Sequence, residues 1–281
     1  MSNFPAKEPR LDRWVSEVTG EQVEELSGIS ATQPYTSDGP WLSSTGLELL
    51  TQLAERHRLG RFDLQGNPTA VRDLVEADVI TEKGKLTDEG EFLLSPLRAT
   101  RAVVSLSAQY GRHSSGLRIH MGDSGALITA GRSHHSLLEQ DAGTSNQDSS
   151  RVDEGSAQLE MVENEAVPEM IGRWIGLGPA WSIEMVPEQL PVATLESRFV
   201  DDMTAAPAEA DDRFLRMWHE PWVVFTLSME PGDFRAGLVN AGAAGFYSYG
   251  GIDADRAALQ ATPSGALWDM LVTETERTLL Q

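Results

Sequence analysis

The sequence predicts an α+β fold in which a β-β-β-α unit occurs twice, the two copies forming a central antiparallel sheet flanked by helices with pseudo-two-fold symmetry. Three observations carry this reading. Residues 101–110 and 222–229 each alternate apolar and polar side chains, the two-residue period of a half-buried strand. Each run is followed by a glycine-broken hairpin. Each hairpin is followed by a short strand that passes into an amphipathic helix. The order of elements and the placement of turns agree between the copies, although almost no residue is shared.

Along the chain, residues 1–40 are rich in Pro, Ser and Glu, with one short apolar stripe at Leu11, Trp14, Val15 and Val18. They read as a tail, flexible or docked through a single short helix. The first α/β half spans 41–178 and the second 179–281, within one domain. A helix is expected from Thr45 with Leu47, Leu49, Leu50 and Leu53, a second after Pro68 with Val71, Leu74 and Val75, and a third carrying Phe92, Leu93 and Leu94. Thr87 is the expected N-cap of the third, with Asp88 and Glu89 placed to favour the positive end of its dipole.

In the first unit, Val104, Leu106, Ala108 and Tyr110 share one strand face. Leu117, Ile119 and Met121 then alternate with Arg118 and His120, and Gly122 to Gly125 makes the turn into Ala126 to Ala130. Leu159 to Met161 leads into a helix with Val167, Met170, Ile171, Trp174 and Ile175 on one side. Between these strands, Glu139 to Ser156 is almost free of apolar residues and reads as a mobile excursion. Gly178 to Glu220 reads as two or three short helices, with apolar stripes at Leu190 to Phe199 and at Phe214, Leu215 and Trp218.

In the second unit, Val223, Phe225, Leu227 and Met229 share a face. Phe234 to Val239 turns through Asn240 to Gly242, and Gly245 to Tyr249 returns with its aromatics packed on one sheet face. Leu259 to Ala261 precedes a helix expected to be capped by Thr262, with Pro263 in its first turn and Leu267, Met270 and Leu271 inward.

Composition narrows the function. There are 43 acidic and 22 basic residues, a net charge of −21, which works against nucleic acid and anionic membranes because both are polyanions. No apolar run approaches the roughly 20 residues of a membrane span, and Met1 to Arg13 lacks the pattern of a signal peptide. A soluble, cytoplasmic protein is expected. With no cysteine, disulfides and thiolate chemistry are excluded.

Chemical motifs fail in their contexts. Gly122-Asp123-Ser124-Gly125-Ala126 resembles a serine-protease nucleophile segment, but Ala126 stands where that segment has its last glycine, and the motif lies at a hairpin turn without an upstream histidine in a fitting setting. His134 and His135, near Glu139 and Asp141, would point to opposite sides of an extended strand and read as an exposed polar loop edge, not as metal ligands. Gly237 to Gly251 is glycine-rich but runs into aromatics, whereas a phosphate-binding loop must hand over to a helix N-terminus. Asn67 to Leu97 resembles a winged-helix DNA reader, yet its reading helix carries Asp73, Glu76 and Asp78 against Arg72. No set of nucleophile, base and orienting group emerges, so no enzyme, cofactor or metal is expected.

With helices preceding each copy of the unit and a polar loop inside the first, the chain resembles the EspG family, the cytosolic chaperones of bacterial type VII secretion. Pro68 to Leu97 running into Ala102 to Tyr110, and Ala257 to Pro263 followed by the last helix, carry the likeness, which extends over about two thirds of the chain. The resemblance implies a quasi-two-fold, non-catalytic protein that holds the helical tip of a PE-PPE-type substrate soluble for export. It places the partner-binding surface at the strand of Phe246, Tyr247 and Tyr249, the helices containing Leu195, Phe214 and Trp218, and the loop Glu139 to Ser156. A winged-helix regulator and an orphan structural or interaction protein are the alternatives.

Overall fold

A computed structural model describes residues 34–141, 155–178 and 188–281. All ten of its described strands belong to one antiparallel sheet, in the order β1-β5-β4-β3-β2-β7-β8-β9-β10-β6. The strands are β1 (Trp41–Leu42), β2 (Ala102–Tyr110), β3 (His113–Gly122), β4 (Gly125–Ala130), β5 (Ala157–Val162), β6 (Glu188–Pro191), β7 (Val223–Glu230), β8 (Phe234–Asn240), β9 (Phe246–Gly251) and β10 (Arg256–Thr262). The order reads the same outward from the β2–β7 junction: first strand, hairpin partner, third, fourth, and then a short edge strand drawn from earlier in the chain. β2, β3 and β4 begin at residues 102, 113 and 125, and β7, β8 and β9 at 223, 234 and 246, a constant interval of 121. The α+β, duplicated architecture is therefore present, with a unit one strand longer than β-β-β-α.

The two copies join through their first strands, which pair from Val103↔Glu230 to Gln109↔Val224. The alternation anticipated on these strands is the observed one: Val104, Leu106, Ala108, Val223, Phe225, Leu227 and Met229 are all buried on the same side of the sheet. That side carries the main core. Over it lie α6 (His134–Asp141), α7 (Val167–Ile175) and α10 (Ser264–Leu279), and the two equivalent helices α7 and α10 pack against each other near the junction. The i, i+3, i+4 spacing of Val167, Met170, Ile171, Trp174 and Ile175 puts all five into this core. Each large side chain fully buried here is worth on the order of 1.5–3 kcal/mol.

Among the described residues, helices pack on the opposite side mainly towards its two ends. At the first-half end stand α1 (Ser44–Arg56), α2 (Arg61–Gly66), α3 (Pro68–Glu76), α4 (Asp88–Leu93) and α5 (Ser95–Arg98), whose leucines pack with Leu42 and Leu159. At the second-half end, α8 (Val192–Val200) and α9 (Asp212–His219) pack on Val224, Val239, Tyr247 and Leu259. Helix starts follow local chemistry: Ser43, Thr87 and Asp211 accept from the amides of Gly46, Gly90 and Phe214 at 3.2, 2.9 and 2.7 Å.

Several expectations change. Residues 34–40 are docked: Gln158 donates to the Ser37 and Gly39 carbonyls at 2.6 and 2.9 Å, and Tyr35 to Glu160 at 3.0 Å. Residues 1–33, including the stripe at Leu11 to Val18, lie outside the described residues. So do 142–154 of the Glu139 to Ser156 excursion and 179–187 of the Gly178 to Glu220 stretch. Leu190, read as the start of a helical stripe, belongs to edge strand β6, and α8 begins two residues later. Thr262 ends β10 and donates to the Gln260 carbonyl; Pro263 takes the N-cap position, with no side-chain cap. Phe246 and Tyr247 lie on opposite faces, not on one, because neighbouring strand residues must alternate. His134 and His135 open helix α6, and His134 is buried instead of standing at an exposed loop edge.

Candidate functional site

Between its two helical ends the second face of the sheet carries polar rows that no described helix covers, although α8 comes against β2. The rows crossing it are Arg118–Ser105–Ser228–Arg235 and Gly116–Ser107–Thr226–Gly237, each position paired with the next across β3, β2, β7 and β8. Ser107, Gly116, Arg118, Thr226 and Arg235 are exposed, and Ser105 and Ser228 half-buried. The same strands put their apolar residues into the core beneath, so alternation alone supplies a floor of small polar groups above. The result is a trough with a wall at either end.

Tyr249 builds the second-half wall. It lies over Gly237, where an added Cβ would fall 2.6 Å from the ring, and its hydroxyl comes within 3.4 Å of the Thr226 hydroxyl. Phe199 of α8 packs on it, with ring centroids 4.8 Å apart. Behind stands a stack of Phe214, Trp218 and Trp222 around Arg198, which is 3 % exposed. The Arg198 guanidinium lies 4.6 Å from the Trp222 ring and donates to the carbonyls of Trp218 and Glu220, the C-terminal end of α9. Burial lowers its pKa, with Asp201 and Asp202 opposing that effect.

On the first-half side the trough deepens into a cleft of about 700 Å³. Leu47 of α1 and Ala157 of β5 flank it, Ser105, Gly116 and Thr129 floor it, and Arg112, His113, Arg118 and Arg132 line it. His120, beside Arg118 on β3, is pushed down to about 4 by burial and by that cation, so it is neutral at pH 7.

The residues singled out from the sequence are mostly interior. Phe246 belongs to the main core, and Tyr247, Leu195, Phe214 and Trp218 to the second-half core, each buried. Their regular apolar spacing reflects packing, so they hold the trough's wall in place without reaching its surface. Tyr249, half-buried, does border the trough. From the excursion Glu139 to Ser156, the described Gly155 and Ser156 line the cleft. Sequence reasoning passed over Arg112, Arg118, Arg132 and the serine floor. Their signal was the polar half of the strand alternation, which names a face without saying whether protein covers it.

Among the described residues no group of three or more His, Asp or Glu side chains is placed to hold a metal ion, and no helix is long and apolar enough to cross a membrane. Compared with known proteins, the chain matches no family model and no curated protein.

Proposed function

We propose that this protein is a non-enzymatic binding protein that holds a helical segment of a partner in the trough between its two helical ends, a chaperone for type VII secretion substrates of the kind the EspG resemblance implies. The single observation that supports the reading most is the centre of the sheet's second face, whose polar rows no described helix covers. A ten-stranded sheet buried on one face and capped at both ends of the other leaves a gap bounded by Leu47 and Tyr249. Its floor of Ser, Thr and Gly sets no bulky side chain against an incoming helix. The pseudo-symmetric scaffold supplies the floor, and the unlike ends, five helices against two, supply direction.

The winged-helix reading has less behind it. Arg72, the one cation of α3, already meets Asp73 at 3.3 Å and Glu76 at 3.6 Å, which leaves that helix no cation for a phosphate.

Co-expression with each helical protein encoded beside this one, followed by light scattering, tests the proposal. A discrete complex is expected, and the paired substitution Ser107→Trp with Thr226→Trp should abolish it without moving the thermal midpoint, because both positions are exposed. A protein that stays alone with every neighbour, or a complex indifferent to the paired substitution, would refute the trough as the binding surface.

A further inference from the structure

The first-half side of the trough carries a charge opposite to that of the protein around it. Acidic residues outnumber basic ones 43 to 22 over the chain, yet the described residues that line the cleft include three arginines, a histidine and no carboxylate. Arg101 and Arg256, by contrast, are paired with Asp123 and Asp253, each at 2.8 Å. Arg112 and Arg118 are exposed and form no ion pair with any described residue.

The spacing of these groups selects among anions. Ser114, Gly116 and Arg118 alternate onto the trough face of β3, and Arg112 stands in the turn just before it. Arg112 and Arg118 are six residues apart on nearly extended chain, roughly 20 Å, so they cannot converge on one small anion. The small residues between them let an extended or helical backbone approach. A nucleic acid presents continuous charge, which would meet the negative field of the rest of the surface.

We infer that the cleft takes an acidic segment of the partner protein, with separated carboxylates paired to Arg112 and Arg118. This rests on the partner-binding reading above and specifies its chemistry. A guanidinium-carboxylate pair of this kind contributes on the order of tenfold or more in affinity. The client is therefore acidic where it meets β3, although the chain as a whole repels acidic surfaces.

Panning a random peptide library, with peptides of about a dozen residues, against the full-length protein and against Arg112→Glu with Arg118→Glu tests this. The wild type should enrich net-acidic peptides, and the charge-reversed protein should lose them and turn to basic ones. Each single substitution should weaken a selected acidic peptide on the order of tenfold by fluorescence anisotropy, less so at high salt. Arg112→Gln and Arg118→Gln serve if charge reversal lowers the thermal midpoint. Apolar peptides held equally by both proteins would overturn the acidic reading and leave partner binding standing; no enrichment by either protein would overturn both. Displacement of the peptide by millimolar inorganic phosphate or by an equimolar thymidine oligonucleotide would overturn it in favour of a phosphate site.

Discussion

His134 shows how far a residue's surroundings can depart from its type. It is 5 % exposed, its ring meets that of His135 edge-on at 4.9 Å, and it lies against Gly176, which closes α7 with φ of 72°. A Cβ on Gly176 would fall 2.6 Å from His134 Nδ1, so the glycine answers both the left-handed backbone and the close approach. Burial, with His135 adding to it, pushes the His134 pKa down to about 3 from an ordinary 6.5. Between those values the unfolded chain binds a proton that the folded one refuses. The stability this neutral ring permits is thus complete above pH 6.5 and falls as pH drops toward 3. From pH 7 to 5 the loss from this one group is about 2 kcal/mol. His120, depressed to about 4, loses stability in the same direction. Replacing His134 by Leu removes its share and the buried Nδ1, which has no hydrogen-bond partner among the described residues. Urea unfolding at pH 7 and pH 5 should therefore show a smaller acid penalty in H134L than in the wild type; equal penalties would mean that the ring is not held neutral. Nothing near residue 134 announces this burial, because Gly176, the group that closes over the ring, lies some forty residues downstream.

At the level of elements, α9 depends on a residue outside it. Its first turn is capped by Asp211, but the last carbonyls, at Trp218 and Glu220, are satisfied by Arg198 of α8. Arg198 therefore fastens the two helices of the second-half end together and orders the tryptophans behind Tyr249. Substituting Met for Arg198 keeps most of the volume but strips the carbonyls of their donors and loses the contact with the Trp222 ring. A destabilisation on the order of 2–3 kcal/mol is expected in urea unfolding, with Arg198→Lys recovering only part because an ammonium cannot fork across both carbonyls. A neutral R198M would show that the carbonyls find water instead. Elements whose cause is local were legible in the sequence: the Thr87 cap, the alternation of each first strand, the turn at Asp123 and Ser124, and the apolar stripe of α7. β1 and β6 were not. A two-residue strand has no period to detect, and β6 contains a proline that argues against a strand interior; both form only because β5 and β10 offer them an edge. The aromatic positions were legible as apolar, but whether they faced a core or a partner depends on α8 and α9 folding back over β9 and β10, which no local pattern encodes.

Across the whole molecule, duplication explains both the stability and the site. Seven residue pairs join β2 to β7, and the main core draws on Leu106, Ile119 and Trp174 from one half and on Phe225, Leu267 and Leu271 from the other. Neither half can bury its share of that core alone: without the partner, β2 or β7 becomes a long apolar edge strand and the face of α7 or α10 is left open. The trough exists for the same reason, since its floor is continuous only where the two first strands meet. Arg118 and Ser105 come from one copy and Ser228 and Arg235 from the other, in one cross-strand row. No spacing within either copy could reveal such a row, although each copy's alternation assigned its polar face. Cutting the chain within residues 179–187 should thus yield two fragments that aggregate or lack cooperative unfolding when expressed singly, and that regain a cooperative transition and a common complex when co-expressed. Calorimetry and sedimentation would read both. A sharp transition in either fragment alone would show that the halves are independent domains, and the trough would then be an interface between them and not a built surface of one fold.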